Sequence, residues 1–194
     1  MSRENINILL AGVGGQGTIL ATKILAHVAR TSGYDIKVSE VHGMAQRGGA
    51  VVTQVRLGEK VFSPLIPSGE ADVIIAFEKL EGLRWLRELK NGGVIVINDQ
   101  TIEPLPVLVG AAKYPEGAID TVRSRADKVI AIDALAMAVE CGNARTANVV
   151  MTGALARLLD MDYEKWQEAL EAEVPRFLDM NKKAFEAGYN SVEL

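Results

Sequence analysis

Residues 6–17 read Ile-Asn-Ile-Leu-Leu-Ala-Gly-Val-Gly-Gly-Gln-Gly, an apolar run that leads straight into a glycine-rich loop. A helical pattern follows the loop, so the chain has the strand–loop–helix context that a G-x-G-x-x-G match requires. This order is typical of the first unit of a Rossmann-like fold, in which a phosphate-bearing ligand lies against the loop. The stretch therefore predicts an α/β fold with a binding site at the end of its first strand.

The glycines of this loop have separate predicted roles. Gly12 is expected to let the chain turn sharply, Gly14 to let the backbone approach a phosphate, and Gly17 to let the helix pack close to the strand. Gly15 and Gln16 complete the loop in front of the helix N-terminus, whose free N–H groups favour an anion. We therefore predict that these residues bind a pyrophosphate-containing cofactor. The alternative is that the glycines only permit tight strand–helix packing.

Composition excludes several classes of protein. The 194 residues carry a net charge of −4 and no run of Lys or Arg, which argues against nucleic-acid binding. Cys141 is the only cysteine, and His27 and His42 are the only histidines, so we expect no disulfide framework, no iron–sulfur cluster and no metal site. The N-terminus lacks the apolar stretch of a signal peptide, and no segment approaches the roughly 20 apolar residues of a membrane span. These features predict a cytoplasmic protein with no membrane contact.

The pattern after the glycine loop predicts a βαβ unit followed by a hairpin. An amphipathic helix follows strand 6–11 and ends near Gly33, and a second strand over 36–41 is expected to lie parallel to the first. Residues 50–57 and 60–65 alternate in polarity around a Gly-Glu pair. This spacing predicts an antiparallel hairpin inserted into an otherwise parallel fold.

The remaining pattern alternates strands and helices before a helical C-terminal region. Strands are expected at 73–77, 94–97 and 129–132, an irregular stretch at 104–115, and helices at 78–90, 134–141, 145–159, 163–173 and 175–187. Asp162 is a predicted N-cap, and Pro175 is placed in a first helical turn. The predicted fold class is α/β: a Rossmann-like, doubly wound, mainly parallel sheet with a β-hairpin insertion and a helical C-terminal region over about 134–190, in a single domain spanning 1–194.

A second polar, glycine-rich segment follows the second predicted strand. Glu40 lies near the end of that strand, and His42, Gln46, Arg47 and Gly48 lie just beyond it, at the edge where open α/β sheets bind ligands. The guanidinium of Arg47 suits a phosphate, and Gly48 lets the backbone come close. Together with the first loop, this segment is predicted to hold a pyrophosphate from two sides.

Three of these side chains have a second interpretation. Glu40 is placed where an acid would bind the ribose of NAD, or it is a solvated carboxylate at a strand end. Arg47 binds phosphate, or it forms a surface ion pair. His42 is a general base or a hydrogen-bonded loop histidine, and no Ser or Cys nucleophile is visibly paired with it. No catalytic residue is assigned.

These segments resemble the gamma domain of the 2-oxoacid:ferredoxin oxidoreductases. The resemblance rests on residues 12–17, on 39–49 as its most specific part, on 63–66, and on a helix motif at 148–155. It covers nearly the whole chain. The helix motif also places small residues on one face, which predicts close packing either in the core or against a partner chain.

The resemblance implies a subunit of an enzyme that decarboxylates a 2-oxoacid on thiamine diphosphate, passes electrons through iron–sulfur clusters to ferredoxin, and releases an acyl-CoA. It implies that thiamine diphosphate, Mg²⁺ and the clusters belong to a large catalytic partner subunit. For this chain it implies a role in assembly and a share in CoA binding, because CoA carries a pyrophosphate that the glycine loop and Arg47 suit. The chain alone is expected to be inactive.

The substrate stays open on the sequence alone. Gamma domains serve enzymes for pyruvate, 2-oxoglutarate, branched-chain and aryl 2-oxoacids, and a free-standing chain of this length most resembles the small subunit of an aryl-pyruvate enzyme. Two other classes remain, an independent NAD or flavin oxidoreductase that uses Glu40 and a scaffold whose glycine loop only packs. We expect the partner to meet the chain around residues 42–49 and 148–155.

Overall fold

The computed structural model describes residues 5–43 and 48–193. A six-stranded sheet has the order β2-β3-β1-β4-β5-β6. Its strands are β1 (Ile6–Val13), β2 (Asp35–His42), β3 (Ala50–Gly58), β4 (Ala71–Ala76), β5 (Leu89–Asn98) and β6 (Lys128–Ile132). β3 is antiparallel to both of its neighbours, whereas β1, β4, β5 and β6 pair in parallel. The mainly parallel sheet predicted from the sequence is confirmed.

Helices cover both faces of this sheet. They are α1 (Thr18–Thr31), α2 (Lys79–Trp85), α3 (Leu105–Leu108), α4 (Ala118–Arg123), α5 (Ala134–Glu140), α6 (Ala147–Leu158), α7 (Tyr163–Glu173) and α8 (Leu178–Asn190), with 3₁₀ turns at Leu86–Glu88 and Ala144–Thr146. The core on one face is built with α1 and α5–α8, and the core on the other with α2 and α4. Among the described residues, no helix is both long enough and apolar enough to cross a membrane.

The central strand β1 contributes to both cores. Ile8 and Leu10 face α1 and the C-terminal helices, whereas Leu9 and Ala11 face α2 and α4. All four side chains are buried. The apolar run that opens the chain reads as continuous, rather than alternating, because both faces of its strand are covered.

α6 is the central helix of the C-terminal region and contacts α8 backbone to backbone. A Cβ on Gly153 would lie 2.0 Å from the Phe185 carbonyl oxygen, and one on Gly188 would lie 1.8 Å from the Val150 carbonyl oxygen. The small residues predicted to pack in the core or against a partner are therefore used inside the chain. The expectation that residues 148–155 meet a partner is wrong, because these residues are buried by the chain itself.

The predicted pairing of 50–57 with 60–65 is also wrong. β3 pairs with β2 on one side and with β1 on the other, and residues 60–65 form no strand. A side chain takes the place of a strand partner there, since the Val61 N–H donates to Asp35 Oδ2 at 2.8 Å. The antiparallel hairpin is β2–β3, and the polar segment 43–49 is its connection.

β1 and β2 run in the same direction, as predicted, but they are not neighbours. Glu40 pairs with Thr53 of β3, which pairs in turn with Leu10 of β1. β2 is thus an edge strand about 10 Å from β1, given a spacing of about 4.8 Å between strands. The local pattern indicates each strand correctly, but it carries no information about the strand inserted between them.

Three predicted elements differ from the structure, whereas the helices predicted at 134–141, 145–159 and 163–173 are confirmed to within two residues. The helix expected over 78–90 ends at Trp85, because Leu89 already pairs with Ala71 as part of β5. Residues 104–115 contain the one-turn helix α3, and the chain turns at Phe177 (φ 57°) before α8 begins, so Pro175 precedes that helix. Asp162 caps α7 as predicted, accepting the N–H of Glu164 at 3.1 Å.

The α6–α8 contact gives a stability prediction. Gly153→Ala should lower the free energy of unfolding by about 2–4 kcal/mol, because the added methyl group meets backbone atoms that cannot rotate away. Lys183→Ala, at an exposed position of α8, should change it by less than about 0.5 kcal/mol. Urea denaturation of both variants measures the difference, and equal stabilities would contradict the close contact.

Candidate functional site

The candidate site is a cleft at the carboxyl ends of β1 and β4. The chain leaves β1 for β2 and β3 on one side and reaches β4 on the other, so the strand order reverses between these neighbours. Ligands of open α/β sheets bind at such a point. The cleft has a volume of about 510 Å³, within the range of small-molecule sites. Of the residues predicted to bind a cofactor, it is lined by Gly14, Gly15, Gln16, Gly17 and Gly48.

The turn in the glycine loop lies later than the sequence predicts. Gly12 is still part of β1, opposite Val51, and the positive φ values occur at Gly15 (101°) and Gly17 (78°). A Cβ on Gly12 would lie 3.2 Å from the Phe77 Cβ, so Gly12 permits close packing at the end of β4. Its predicted role in the sharp turn is corrected, because pairing with β3 extends β1 past it.

Gly17 brings α1 against α6. A Cβ there would lie 2.6 Å from Asn148 Nδ2, and that amide donates to the Gly17 carbonyl oxygen at 3.2 Å. Gly17 was predicted to allow strand–helix packing, and the neighbour in the structure is instead the first turn of α6. Any side chain at Gly17 would both strain the backbone and strike Asn148.

Gly14 ties the glycine loop to the β2–β3 connection. Its N–H donates to the Gly49 carbonyl oxygen at 2.8 Å, and its carbonyl oxygen accepts from the Gly48 N–H at 3.5 Å. The Gly14 N–H therefore has a protein acceptor. The backbone donors that an anion can use are those of the first turn of α1, Thr18 and Ile19, which have no intrahelical acceptor.

The Gln16 side chain binds the protein's own backbone. Its Oε1 accepts from the Val13 N–H at 2.8 Å, and its Nε2 donates to the Phe77 carbonyl oxygen at 2.7 Å. Gln16 thereby joins the end of β1 to the end of β4. It lines the cleft as a positioning residue whose amide is already used on both sides.

A cluster of amides continues this network at the floor of the cleft. Asn98, which is buried, donates to the Phe77 carbonyl oxygen at 3.1 Å and accepts from the Ala134 N–H at 3.0 Å, so it joins β4 to the start of α5. Gln100 Oε1 accepts from Asn98 Nδ2 at 3.1 Å and from Gln16 Nε2 at 3.3 Å. Two donors fix the Gln100 carbonyl, which leaves its NH₂ group as a donor to a ligand in the cleft.

The buried carboxylate of Glu78 holds in place the loop beside this cluster of amides. Glu78 caps α2 by accepting the Glu81 N–H at 3.1 Å, and it also accepts the Ile102 N–H at 3.2 Å and the Tyr114 hydroxyl. Burial, with this hydrogen bond to the Glu78 carboxylate, raises the pKa of Tyr114 above its ordinary value. Tyr114 therefore remains a neutral donor, and the loop that carries Ile102 to the cleft is fixed at both ends.

Arg145 gives the cleft its charge. Among the described lining residues it is the only ionisable one, and within that part of the chain its guanidinium has no ion-pair partner. Its backbone is held in the 3₁₀ turn before α6, where the Arg145 N–H donates to Asn143 Oδ1 at 3.0 Å. A planar, permanently charged fork beside free helix N–H groups suits a phosphate or a carboxylate.

Glu40 and His42 lie on β2, outside the residues that line the cleft. His42 Nε2 is 2.5 Å from Glu40 Oε1, and the Thr53 hydroxyl donates to Glu40 Oε2 at 3.1 Å. Both carboxylate oxygens thus have protein partners, and β3 separates them from the glycine loop. This arrangement does not favour a ribose contact and instead holds the base of the β2–β3 connection.

The sequence predicts some of the site residues and misses others. Gln46 and Arg47 lie outside the described residues, so their role in binding stays a prediction. Asn98 and Gln100 were missed, although both follow a predicted parallel strand and the carboxyl ends of such strands meet at one edge. Arg145 has no such local signal, because only the packing of α6 brings it to the glycine loop. Residues 5–43 and 48–193 hold no group of three or more acidic, His or Cys side chains placed to bind a metal.

Comparison with known proteins gives a consistent result. Residues 7–191 match the family model of the pyruvate ferredoxin/flavodoxin oxidoreductases. The chain is 40% identical to the indolepyruvate oxidoreductase subunit IorB of Thermococcus kodakarensis, over 98% of this chain and 97% of that protein. It is 29% identical to the ketoisovalerate oxidoreductase subunit VorA of Methanothermobacter thermautotrophicus, over 94% of this chain but 35% of that protein. A keto/oxoacid ferredoxin oxidoreductase gamma subunit from Geobacter sulfurreducens superposes with a TM-score of 0.71 at 27% identity, covering 96% and 97% of the two chains.

The Gln16 network gives a prediction for stability. Gln16→Ala leaves the Val13 N–H without a partner and removes one of the two donors to the Phe77 carbonyl oxygen, so it should lower the free energy of unfolding by about 1–3 kcal/mol. Gln16→Glu keeps the acceptor for Val13 but places a carboxylate oxygen against the Phe77 carbonyl, so it should also destabilise at pH 7.

The pH dependence separates the two effects. Protonation of the new carboxyl near pH 4 restores a donor, so the deficit of Gln16→Glu should shrink there while that of Gln16→Ala persists. Urea denaturation at pH 7 and pH 4 measures both. Parallel pH profiles for the two variants would contradict a donor role for Gln16.

Proposed function

The chain belongs to the pyruvate ferredoxin/flavodoxin oxidoreductase family, and we propose that it is the small subunit of an indolepyruvate:ferredoxin oxidoreductase. The assignment of indolepyruvate as the substrate rests on the difference in sequence identity within the family. Identity to the IorB subunits is 35–40%, whereas identity to a ketoisovalerate subunit is 29% and to a common pyruvate/ketoisovalerate gamma subunit 26%. The coverage is close to complete on both sides for the IorB subunits.

The proposed enzyme converts an aryl 2-oxoacid and CoA to an acyl-CoA and CO₂, and two electrons pass to ferredoxin. Thiamine diphosphate with Mg²⁺ supplies the decarboxylation chemistry, and iron–sulfur clusters supply the path for electrons. We assign all of these to the large subunit, because a cluster needs about four ligands and this chain has one cysteine. The small subunit has no activity of its own in this scheme.

This chain contributes a site for the pyrophosphate of CoA. The donor set fits such a group: the Gln100 NH₂ group and the Arg145 guanidinium belong to the cleft, and the N–H groups of Thr18 and Ile19 lie in the helix turn that follows its glycine loop. The approach to the backbone at Gly15 is open, because a Cβ added there would have no atom within 4 Å apart from those of its own chain neighbours. These groups bind and orient the anion, and the buried amide network keeps their spacing fixed.

Assay of the assembled enzyme tests the function. The chain, co-expressed anaerobically with its large subunit, should support CoA-dependent reduction of ferredoxin by indolepyruvate, with a higher kcat/KM than for pyruvate, 2-oxoglutarate or ketoisovalerate. A preference for one of those acids would keep the family role and overturn the substrate. Turnover of NADH by the chain alone would instead favour an independent oxidoreductase.

The cleft gives a prediction for cofactor affinity. Arg145→Ala in the assembled enzyme should raise the Kd for CoA about tenfold or more, because a charge-assisted hydrogen bond contributes about 1.5–3 kcal/mol. Arg87→Ala removes another exposed arginine, at the opposite, amino-terminal edge of β5, and should leave the Kd unchanged. Isothermal titration with CoA measures both variants, and unchanged affinity in Arg145→Ala would remove this residue from the site.

A further inference from the structure

Large apolar side chains are exposed on elements that follow the strands at the edge of the sheet where the cleft lies. We name as the apolar rim Ile19, Leu105, Leu108, Val109, Leu135 and Val139, each of which leaves more than a third of its surface in water. Leu105 is 69% exposed and Val139 58% exposed. An apolar cluster of this kind on a soluble domain marks a protein contact more often than a free surface.

The apolar rim belongs to elements that begin at the carboxyl edge of the sheet. Ile19 is in the first turn of α1, directly after the glycine loop, and Leu135 is in the first turn of α5, directly after β6. Val139 follows Leu135 by four residues on the same face of α5. Leu135 lines the cleft, as does Ile102 in the loop that carries α3, so two of the elements that bear rim residues reach the candidate site.

The loop that carries the other rim residues is held in place. It leaves β5 after Asn98, and Glu78 holds it at both ends, through the Ile102 N–H and the Tyr114 hydroxyl. Between these points α3 presents Leu105 and Leu108 outwards. A fixed loop loses little conformational entropy on binding, which is a property of a prepared contact surface.

From this arrangement we infer that the larger partner subunit docks on the apolar rim and covers the cleft. Exposed apolar side chains beside a positively charged cleft fit a partner that buries both. Burying the rim would remove water from around Arg145 and the helix N–H groups and so strengthen their hold on an anion. The inference rests on the proposed function, since it takes the partner to be the rest of the same enzyme.

The comparisons favour this occupant over a second copy of the chain. In the ketoisovalerate subunit VorA, the counterpart of this chain is 35% of a longer polypeptide. In that protein the equivalent domain has other domains as covalent neighbours. The IorB subunit of Thermococcus kodakarensis is matched over 97% of its length and so lacks those further domains, and we expect the domain that it shares with VorA to keep a surface for them.

Interface variants in the complete enzyme test the inference. Leu105→Glu combined with Leu108→Glu, and separately Val139→Glu, should each raise the Kd for the large subunit at least tenfold, measured by biolayer interferometry under anaerobic conditions. Phe62→Glu is the matched control, because Phe62 is 84% exposed but lies in the connection between β3 and β4, at the amino-terminal edge of β1. The control should bind as the unmodified chain does.

Hydrogen exchange separates direct contact from misfolding. The rim variants should keep the melting temperature of the free chain, since the altered side chains are exposed. In the unmodified complex, the backbone around residues 100–113 and 134–141 should exchange more slowly than in the free chain. Rim variants that bind the large subunit within twofold of the unmodified chain would overturn the inference.

Three further outcomes keep the docking surface distinct from the proposed function. If the complex oxidises 2-oxoacids and the rim variants assemble normally, the function stands and the docking surface is wrong. If the unmodified chain is a dimer in multi-angle light scattering and the rim variants make it a monomer, the occupant is a second copy and the inference falls. If the chain neither binds the large subunit nor supports 2-oxoacid oxidation, the proposed function falls with it.

Discussion

Backbone pairing between β1 and β3 continues past both strands, where the Gly14 N–H donates to the Gly49 carbonyl oxygen at 2.8 Å. This pairing sets the position of the glycine loop and of the connection between β2 and β3. It extends β1 beyond Gly12, delays the turn to Gly15, and brings the connection between β2 and β3 beside the glycine loop. Two segments that are about thirty residues apart in sequence thus form one corner of the sheet, at the point where the strand order reverses.

Local sequence patterns were sufficient for most elements of the fold. Apolar runs located the strands, and a polar residue before an amphipathic stretch located the Asp162 cap. The strand order was not accessible in this way, because an inserted strand changes no local pattern in β1 or β2. The predicted hairpin of 50–57 with 60–65 is wrong for a related reason. The segment after β3 has strand-like alternation, but side chains such as Asp35 satisfy its backbone donors.

The site was predictable in position and only partly in chemistry. The glycine loop was located correctly, yet Gln16 binds Val13 and Phe77 of its own chain, and Glu40 is occupied by His42 and Thr53. A motif indicates which residues gather at a strand end, but it does not indicate which of their hydrogen bonds the protein itself uses. Arg145 is the opposite case: no motif indicates it, and the packing of α6 brings it to the cleft.

Packing within the chain explains how its fold can be stable although the proposed site needs a partner to cover it. The α6–α8 contact and the Glu78 and Asn98 networks are complete within the chain, so the donors in the cleft are fixed before any partner arrives. At the cleft Leu135 is exposed, and further exposed apolar side chains lie on α1, α3 and α5, which follow strands at the same edge of the sheet. A prepared polar centre needs a dry environment to bind an anion strongly, and a single open edge of a sheet does not provide one. The proposed docking of a larger subunit on this edge would supply that environment, and it would link assembly to the proposed binding of CoA.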